Sequence, residues 1–369
     1  MDSFKGCLSS AEVEAAAEEG VRSVYPDCST FCIPIADGGE GWLNSLLPEL
    51  GSSIHRLSVH GPLMDLVFAR YGITKDGRTA ILEMAETSGL MLVPIPKRNP
   101  MLTTSLGAGE LILHLMNQGI RHFIIGIGGS ATNDGGIGML QALGFLFYNH
   151  QGGILSTGCG EMMCQVARMD MTFVDPALKD TCFTVACDVD NPFYGPNGAA
   201  YTFAIQKGAD EQMVESLDMG LRSLSEVYRR TTGIDVGQYP GAGAAGGVGG
   251  AFLSFMHGKL QPGVQLVLNT LGFEKQIAGA DLIITGEGKA DRQTMMGKVP
   301  YGVLEEAKEQ QIPVVLIAGR VENADMLLSA GFQGVYQISP DSMPLEEAME
   351  PNYTRNNIKR TVAKILCSL

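Results

Sequence analysis

Five loop segments carry residue types whose spacing can do chemistry. The richest runs Gly126-Ile127-Gly128-Gly129-Ser130-Ala131-Thr132-Asn133-Asp134-Gly135-Gly136, after the apolar run His122–Ile125. Its glycines would let backbone approach a phosphate, and a helix starting there would add N–H donors and a positive dipole end. It formally holds G-x-G-x-x-A, the dinucleotide fingerprint. That fingerprint needs an acidic residue about 20 positions on, and Phe145–Asn149 has none. The segment therefore favours phosphate or small-anion binding over NAD. A bare strand-to-helix turn is the plainer reading, but it leaves Ser130, Thr132 and Asn133 without a purpose.

Asp188-Val189-Asp190-Asn191 places two carboxylates at i and i+2. Such a pair can hold Mg2+, or offer one base and one metal contact; an Asx-turn is the plain alternative. The pattern starts like a calcium-binding EF-hand loop, but Pro192 and Ala199 at the twelfth position exclude that. In Thr285-Gly286-Glu287-Gly288-Lys289-Ala290-Asp291, the acidic pair Glu287 and Asp291 could ligate a metal, while Lys289 and Lys298 could meet phosphate. A surface turn with solvated charges is the alternative. No G-x-x-x-x-G-K-[ST] occurs, so this is no P-loop NTPase. Pro240–Gly250, nearly all Gly and Ala, is expected to open a helix onto Phe252-Leu253; it offers only backbone N–H groups and close packing, or else a flexible linker. Lys5 in Asp2-Ser3-Phe4-Lys5-Gly6 could neutralise an anion, and Asp37 and Glu40 in Ala36-Asp37-Gly38-Gly39-Glu40-Gly41 could bind hydroxyls or metal; each alone reads more simply as a solvated charge. No H-E-x-x-H, G-x-S-x-G or C-x-x-C occurs, so zinc and serine hydrolase chemistry lacks its groups.

These loops need elements to hold them. At 369 residues the chain suggests two domains. Apolar residues make up 45% and charged ones 18%, a core-forming composition that excludes disorder. Helices are expected over Glu12–Tyr25, Thr104–Gln118, Gly135–Leu146, Gln212–Thr231 and Tyr301–Gln310, with another after Gly41 through Leu50. Strands are expected over Thr30–Ile35, Ile120–Ile127, Phe183–Asp188, Asp281–Thr285 and Pro313–Gly319. Residues 54–84 read instead as antiparallel strands, with a hairpin at Asp76-Gly77. Apolar strands with helical crossovers imply a parallel sheet in at least one α/β domain, with the antiparallel section and the long middle forming a second, inserted domain. Ligands would then gather at the carboxyl ends of the strands. The net charge of −14 argues against nucleic acid or an anionic membrane as partner. There is no apolar run of 18 residues and no basic-then-apolar leader, so no membrane span or export signal is expected. Eight scattered cysteines suggest reduced, mostly buried thiols in a cytoplasmic protein.

Taken in order, the segments DSFKG at 2–6, ADGGEG at 36–41, EMAETSGL at 83–90, GIGGSATNDGGIGMLQALG at 126–144, ACDVDNPFYGPNGAA at 186–200, QKGA at 206–209, GAGAAGGVGGA at 241–251 and ADLIITGEGKADRQTMMGK at 280–298 resemble the bacterial glycerate kinases, the class unrelated to P-loop kinases. The resemblance covers nearly the whole chain. It implies ATP-dependent phosphorylation of D-glycerate to 2-phosphoglycerate with Mg2+. It also implies two α/β domains, one Rossmann-like and built from both chain ends, with the active site between them. The expected division is 1–55 plus 90–145 plus 275–369 for the Rossmann-like domain, and 56–89 plus 146–274 for the inserted one. Asp190, Asp188 and Lys5 are the expected catalytic residues, with Asp188, Glu287 and Asp291 toward the metal. Substrate or phosphate contacts are expected from Ser3, Asp37, Gly38, Gly39, Glu40, Gly128, Gly129, Ser130, Thr132, Asn133, Asp134, Asn191, Lys207, Gly286 and Lys298. Partners would be small molecules, with a homodimer allowed. The rivals are an NAD(P)-dependent oxidoreductase of a small hydroxy acid and a non-catalytic small-anion binder. There are two departures. Members usually carry a short apolar strand and a Pro directly before DSFKG, where this chain has only Met1, so Asp2 and Lys5 are expected to be less firmly held. Phe193 and Tyr194 replace a smaller pair.

Overall fold

The computed structural model describes every residue except 5, 36–42, 44–46, 48–51 and 369, and only the backbone of Leu345. By internal contacts the chain divides into two units. One joins residues 1–37 to 264–369, and the other is the continuous stretch 38–263.

The continuous unit is built on a six-stranded sheet. Its strands are β1 (Ser53–His60), β2 (Leu66–Ile73), β3 (Thr79–Glu83), β4 (His122–Gly126), β7 (Cys182–Ala186) and β8 (Lys259–Gln261), in that spatial order. The pairs β1–β2 and β2–β3 are antiparallel, as the hairpin signals imply, whereas β3, β4, β7 and β8 run parallel. The intervening β5 (Leu146–Tyr148) and β6 (Arg168–Asp170) form a separate antiparallel pair. The central strands are continuous apolar runs because helices cover the parallel sheet. Phe123 on β4 stacks on Phe183 of β7 at 5.1 Å, and Phe183 meets Phe252 at 5.7 Å. Each ring is almost fully buried, and each such burial contributes roughly 1.5–3 kcal/mol. The long helix Glu211–Thr232 starts where the Asp210 carboxylate accepts the Met213 N–H at 2.8 Å and stops at left-handed Gly233.

The discontinuous unit holds a three-stranded parallel sheet in the order β11 (Gly334–Gln337), β10 (Val314–Val321), β9 (Ile283–Ala290). Helices Ser10–Val24 and Pro351–Leu366, from opposite chain ends, share its core with Val315 and Ile317. They pack so closely at Gly20 that a Cβ there would meet the Lys359 carbonyl at 2.6 Å. A capping box starts the first helix: the Glu12 carboxylate accepts the Ser9 N–H at 2.9 Å, and Ser9 Oγ accepts the Glu12 N–H.

The mixed α/β class and a domain drawn from both chain ends are as expected. Three expectations are corrected. Residues 90–145 belong with the continuous unit, because β4 pairs with β3 on one side and β7 on the other; residues 38–55 fall there too, and 264–274 fall in the discontinuous unit. Thr30–Ile35 forms no strand: Pro34 has no N–H to give, Phe31 is 82% exposed, and its backbone bonds among the described residues are two long ones to Met1, with Ile35 N–H shared between the Met1 carbonyl and Ser10 Oγ. The cysteines are free, but five of the eight are exposed and none is fully buried.

Candidate active site

In the continuous unit, the register of the parallel strands decides what meets. Gly126 of β4 stands opposite both Glu83 of β3 and Ala186 of β7, and Ala186 stands opposite Gln261 of β8. The loops that follow these strands therefore leave the sheet side by side at its carboxyl edge, where an open α/β sheet binds ligands. The glycine loop 127–136 and the Asp188–Asn191 segment become neighbours in this way.

The glycine loop is braced on every side. Leu90 N–H donates to the Gly129 carbonyl and Ala131 N–H to the Ser88 carbonyl, both at 2.8 Å. Thr103 Oγ1 donates to the Ala131 carbonyl at 2.9 Å. Gly128 and Gly129 stay exposed, and no described residue accepts their N–H groups or that of Ser130.

Asp134 turns out to be internal. Its fully buried carboxylate accepts Ser105 N–H at 2.8 Å, Ser105 Oγ at 2.7 Å, Gly136 N–H at 3.0 Å and Gly138 N–H at 3.3 Å. Burial still pushes its carboxyl above the ordinary carboxylate range, against the pull of those bonds. The helix that follows is only Ile137–Ala142. Its first N–H groups are thus met by the protein's own anion, which corrects the expectation of a ligand anion at that helix start. Ser105 and Thr103 were not singled out from the sequence. Their available signal was the polar run Thr103-Thr104-Ser105 directly before a helical pattern.

Lys207 lies 77 residues from Ser130 in sequence but sits directly beneath the loop. Its ammonium donates to Ser130 Oγ at 2.9 Å and to the Thr132 carbonyl at 2.7 Å. It is 3% exposed, and burial lowers its pKa to about 7, with Asp134 pulling the other way. Thr132 and Asn133 are fully buried, and neither Thr132 Oγ1 nor the Asn133 amide has a hydrogen-bond partner among the described residues.

Asp188 and Asp190 are exposed. Asp188 Oδ1 accepts the Gly263 N–H at 2.7 Å, which ties the segment to the end of β8. Asn191 is half-buried, and its amide NH2 donates to the Asn197 carbonyl at 2.8 Å and to Thr202 Oγ1 at 3.2 Å, which shapes the following turn. The Gly/Ala-rich stretch is neither linker nor anion cradle. Residues 244–255 form a helix broken by left-handed backbone at Ala245, Gly246 and Gly247. That break lets the Gly246 carbonyl accept the Gly135 N–H at 2.9 Å. Phe193 fills the space against Gly247 and Gly250.

In the discontinuous unit, Glu287 on β9 is buried. Thr294 Oγ1 donates to its Oε1 at 2.5 Å, and Lys298 reaches Oε2 at 3.1 Å. Burial raises its pKa; Thr294 and Lys298 oppose the rise, and nearby Asp2 adds to it. Asp291 caps the turn Arg292–Met296 through the Gln293 N–H at 2.8 Å and pairs with Lys289 at 3.3 Å. Those partners outweigh its burial and hold its pKa below the ordinary value. Lys298 and Lys289 are thus paired with carboxylates of their own unit. The Gly286 carbonyl accepts the Asp2 N–H at 2.9 Å, and Ser3 N–H turns back to the Asp2 carboxylate at 2.7 Å. Lys5, Asp37, Gly38, Gly39 and Glu40 lie outside the described residues.

Among the described residues, no three of His, Cys, Asp and Glu gather as a metal cage. An apolar void of about 10 Å3 among Leu82, Leu111, Ile125, Met139 and Phe252 holds one water at most and is no substrate site.

Residues 1–369 match the glycerate kinase family. The chain is 44% identical to a glycerate kinase of Bacillus cereus, over 99% of this chain and 95% of that one. It is 42% identical to the glycerate 2-kinase of Escherichia coli, over 100% and 96%. A crystal structure assigned as glycerate kinase 2 from Salmonella typhimurium LT2 superposes with a TM-score of 0.88 at 41% identity, covering 100% of this chain and 96% of that one. With the glycine loop and the Asp188–Asn191 carboxylates side by side in a fold shared over its whole length, the chain belongs to the glycerate kinase family.

Proposed function

We propose that this chain transfers the γ-phosphoryl group of ATP to the 2-hydroxyl of D-glycerate, giving 2-phosphoglycerate and ADP. The observation that carries this reading is the strand register that sets exposed Asp188 and Asp190 beside the open N–H groups of the glycine loop. One loop then receives anionic oxygens while the other handles a hydroxyl. Asp190 accepts the proton of the glycerate hydroxyl as its oxygen attacks phosphorus and the bond to the ADP oxygen breaks. Positioning and electrostatics supply most of the catalysis, as is usual for phosphoryl transfer.

The donor set suits Mg2+. The ion favours hard oxygens, keeps several waters, and binds through one or two carboxylates plus substrate phosphates, so it needs no all-protein cage. Asp188 would hold it, with Asp190 alongside. When bound, it would neutralise charge on the transferring phosphoryl group. Within their own unit Glu287 and Asp291 are held by Thr294, Lys298 and Gln293, which makes them weaker metal candidates. Lys5 and the acidic loop Asp37–Glu40 enter this reading through the family pattern alone.

An oxidoreductase role is not favoured. The next strand after the glycine loop, β5, lies outside the parallel sheet, paired with β6, and no carboxylate follows it at Asn149, where a dinucleotide fold requires one. A purely binding role is disfavoured by family membership. Free thiols throughout support a reducing, cytoplasmic setting. No helix among the described residues is long and apolar enough to cross a membrane.

The test is ADP release with ATP, Mg2+ and D-glycerate against a blank without glycerate, with NMR of the product to locate the phosphate. Asp190→Asn should lower kcat by about 10²-fold or more with the fold intact. Full turnover in that variant would remove Asp190 from the role of base. Sedimentation of the same sample would separate a monomer from a homodimer.

A further inference from the structure

We propose that Lys207 and Ser130 form an anion receptor at the mouth of the glycine loop. In it the buried ammonium orients the Ser130 hydroxyl outward, and the site takes a carboxylate or phosphate group of a substrate. The inference deepens the kinase reading above and rests on it.

In its protonated form, which a bound anion favours, Lys207 can only donate. Bonding to Ser130 Oγ at 2.9 Å, it occupies a lone pair of that oxygen, so the hydroxyl hydrogen must turn away from it. The other bond of Lys207, to the Thr132 carbonyl, lies inside the protein. The Ser130 hydroxyl is therefore left as a donor on a residue only 6% exposed, next to exposed Gly128 and Gly129, whose N–H groups no described residue accepts. Three unaccepted backbone N–H groups and one hydroxyl thus lie within a three-residue stretch, the kind of donor set an oxyanion can use.

The charge balance points the same way. Among the described residues Lys207 has no carboxylate in ion-pair contact. Asp134 is the nearest countercharge, but it spends both oxygens on Ser105, Gly136 and Gly138. A buried cation without a direct partner is costly, and an incoming anion offsets that cost. The unpartnered Thr132 Oγ1 and Asn133 amide, both fully buried in the same loop, are a second sign that the loop is completed by something the protein does not supply. Lys207 does not touch the reacting atoms in this scheme. It is a positioning residue acting through Ser130.

The experiment is calorimetric binding of inorganic phosphate, D-glycerate and ATP to the full chain and to Ser130→Ala, Lys207→Met and the double variant, with thermal melts of each. Lys207→Met should weaken binding of at least one of the three anions about tenfold. Ser130→Ala should weaken the same anion several-fold with little change in Tm, because its Cβ and backbone stay in place. In the Lys207→Met background the serine substitution should change affinity less than twofold, since its orienting partner is already gone. Loss for D-glycerate alone identifies a carboxylate receptor, and loss for phosphate and ATP a phosphate receptor. If folded Ser130→Ala binds all three anions as the parent does, or if the two substitutions are additive, the proposal is overturned. Should Lys207→Met not fold, Ser130→Ala alone still decides between these outcomes. Phosphate binding reports on the receptor even if the parent chain releases no glycerate-dependent ADP, a result that would instead sink the kinase reading.

Discussion

At the scale of the residue, three buried charges behave differently because their neighbours differ. Glu287 has both a hydroxyl and Lys298 against it. Asp134 has four donors from the backbone and Ser105. Lys207 has only two neutral oxygens. Its pKa near 7, against an ordinary 10.5, makes stability depend on pH. Between these values the unfolded chain holds a proton on Lys207 that the folded chain has released. Stability from this group therefore rises with pH from about 7 toward 10.5 and is flat below 7, where both states are protonated. Urea melts across that range should show the rise in the parent and its loss in Lys207→Met. A parent and variant with parallel curves would mean that Lys207 is not perturbed. None of this is visible in sequence. QKGA marks Lys207 as a candidate ligand contact, but only the fold shows the ammonium turned into the loop's underside.

At the scale of the element, the glycine loop is held by a second glycine-rich segment that the sequence left open as a linker. The backbone at Ala245, Gly246 and Gly247 has φ of 53°, 69° and 97°. A Cβ on Gly246 would lie 2.1 Å from the Thr132 carbonyl. Gly246→Ala should therefore cost about 3 kcal/mol or more, since both the clash and the left-handed backbone oppose it. Ala245→Gly should do the reverse, relieving strain worth up to about 1 kcal/mol. Chemical denaturation of both variants checks the pair, and equal stabilities would show that this left-handed turn carries no strain. The elements themselves were mostly legible, because a 3.6-residue period or an apolar run is local information. The helix expected over 212–231 is found over 211–232, and the antiparallel section at 54–84 is found as β1 to β3. Thr30–Ile35 failed for a non-local reason. A strand exists only where a partner takes its hydrogen bonds, and six apolar-looking residues cannot say whether one arrives.

At the scale of the whole molecule, each unit holds an apolar cluster of its own among the described residues. One draws on residues between 57 and 260, the other on residues 1–24 and 282–366. A defect in one should leave the other's packing intact. Gly20→Val, driving a side chain into the Lys359 carbonyl at the crossing of the end helices, should strip hydrogen-exchange protection from Pro351–Leu366 and β10 while β4 and β7 keep theirs. Uniform loss across both units would show a single cooperative core.

Which segments carry chemistry, and of what kind, was already written in the order of the residues. Glycine, paired carboxylates and lysine announce themselves through composition and spacing, and their succession along the chain was enough to reveal the family. Which of those side chains stay open to a ligand emerged only from the fold. Asp134, Glu287 and Asp291 looked like site residues and are held by the protein's own donors, while Lys207 reaches Ser130 from below. The fold also assigned 90–145 to its sheet. The physical reason is the same in each case. Whether a polar group is satisfied, and which strand lies beside which, depends on partners tens of residues away, and no local pattern records them.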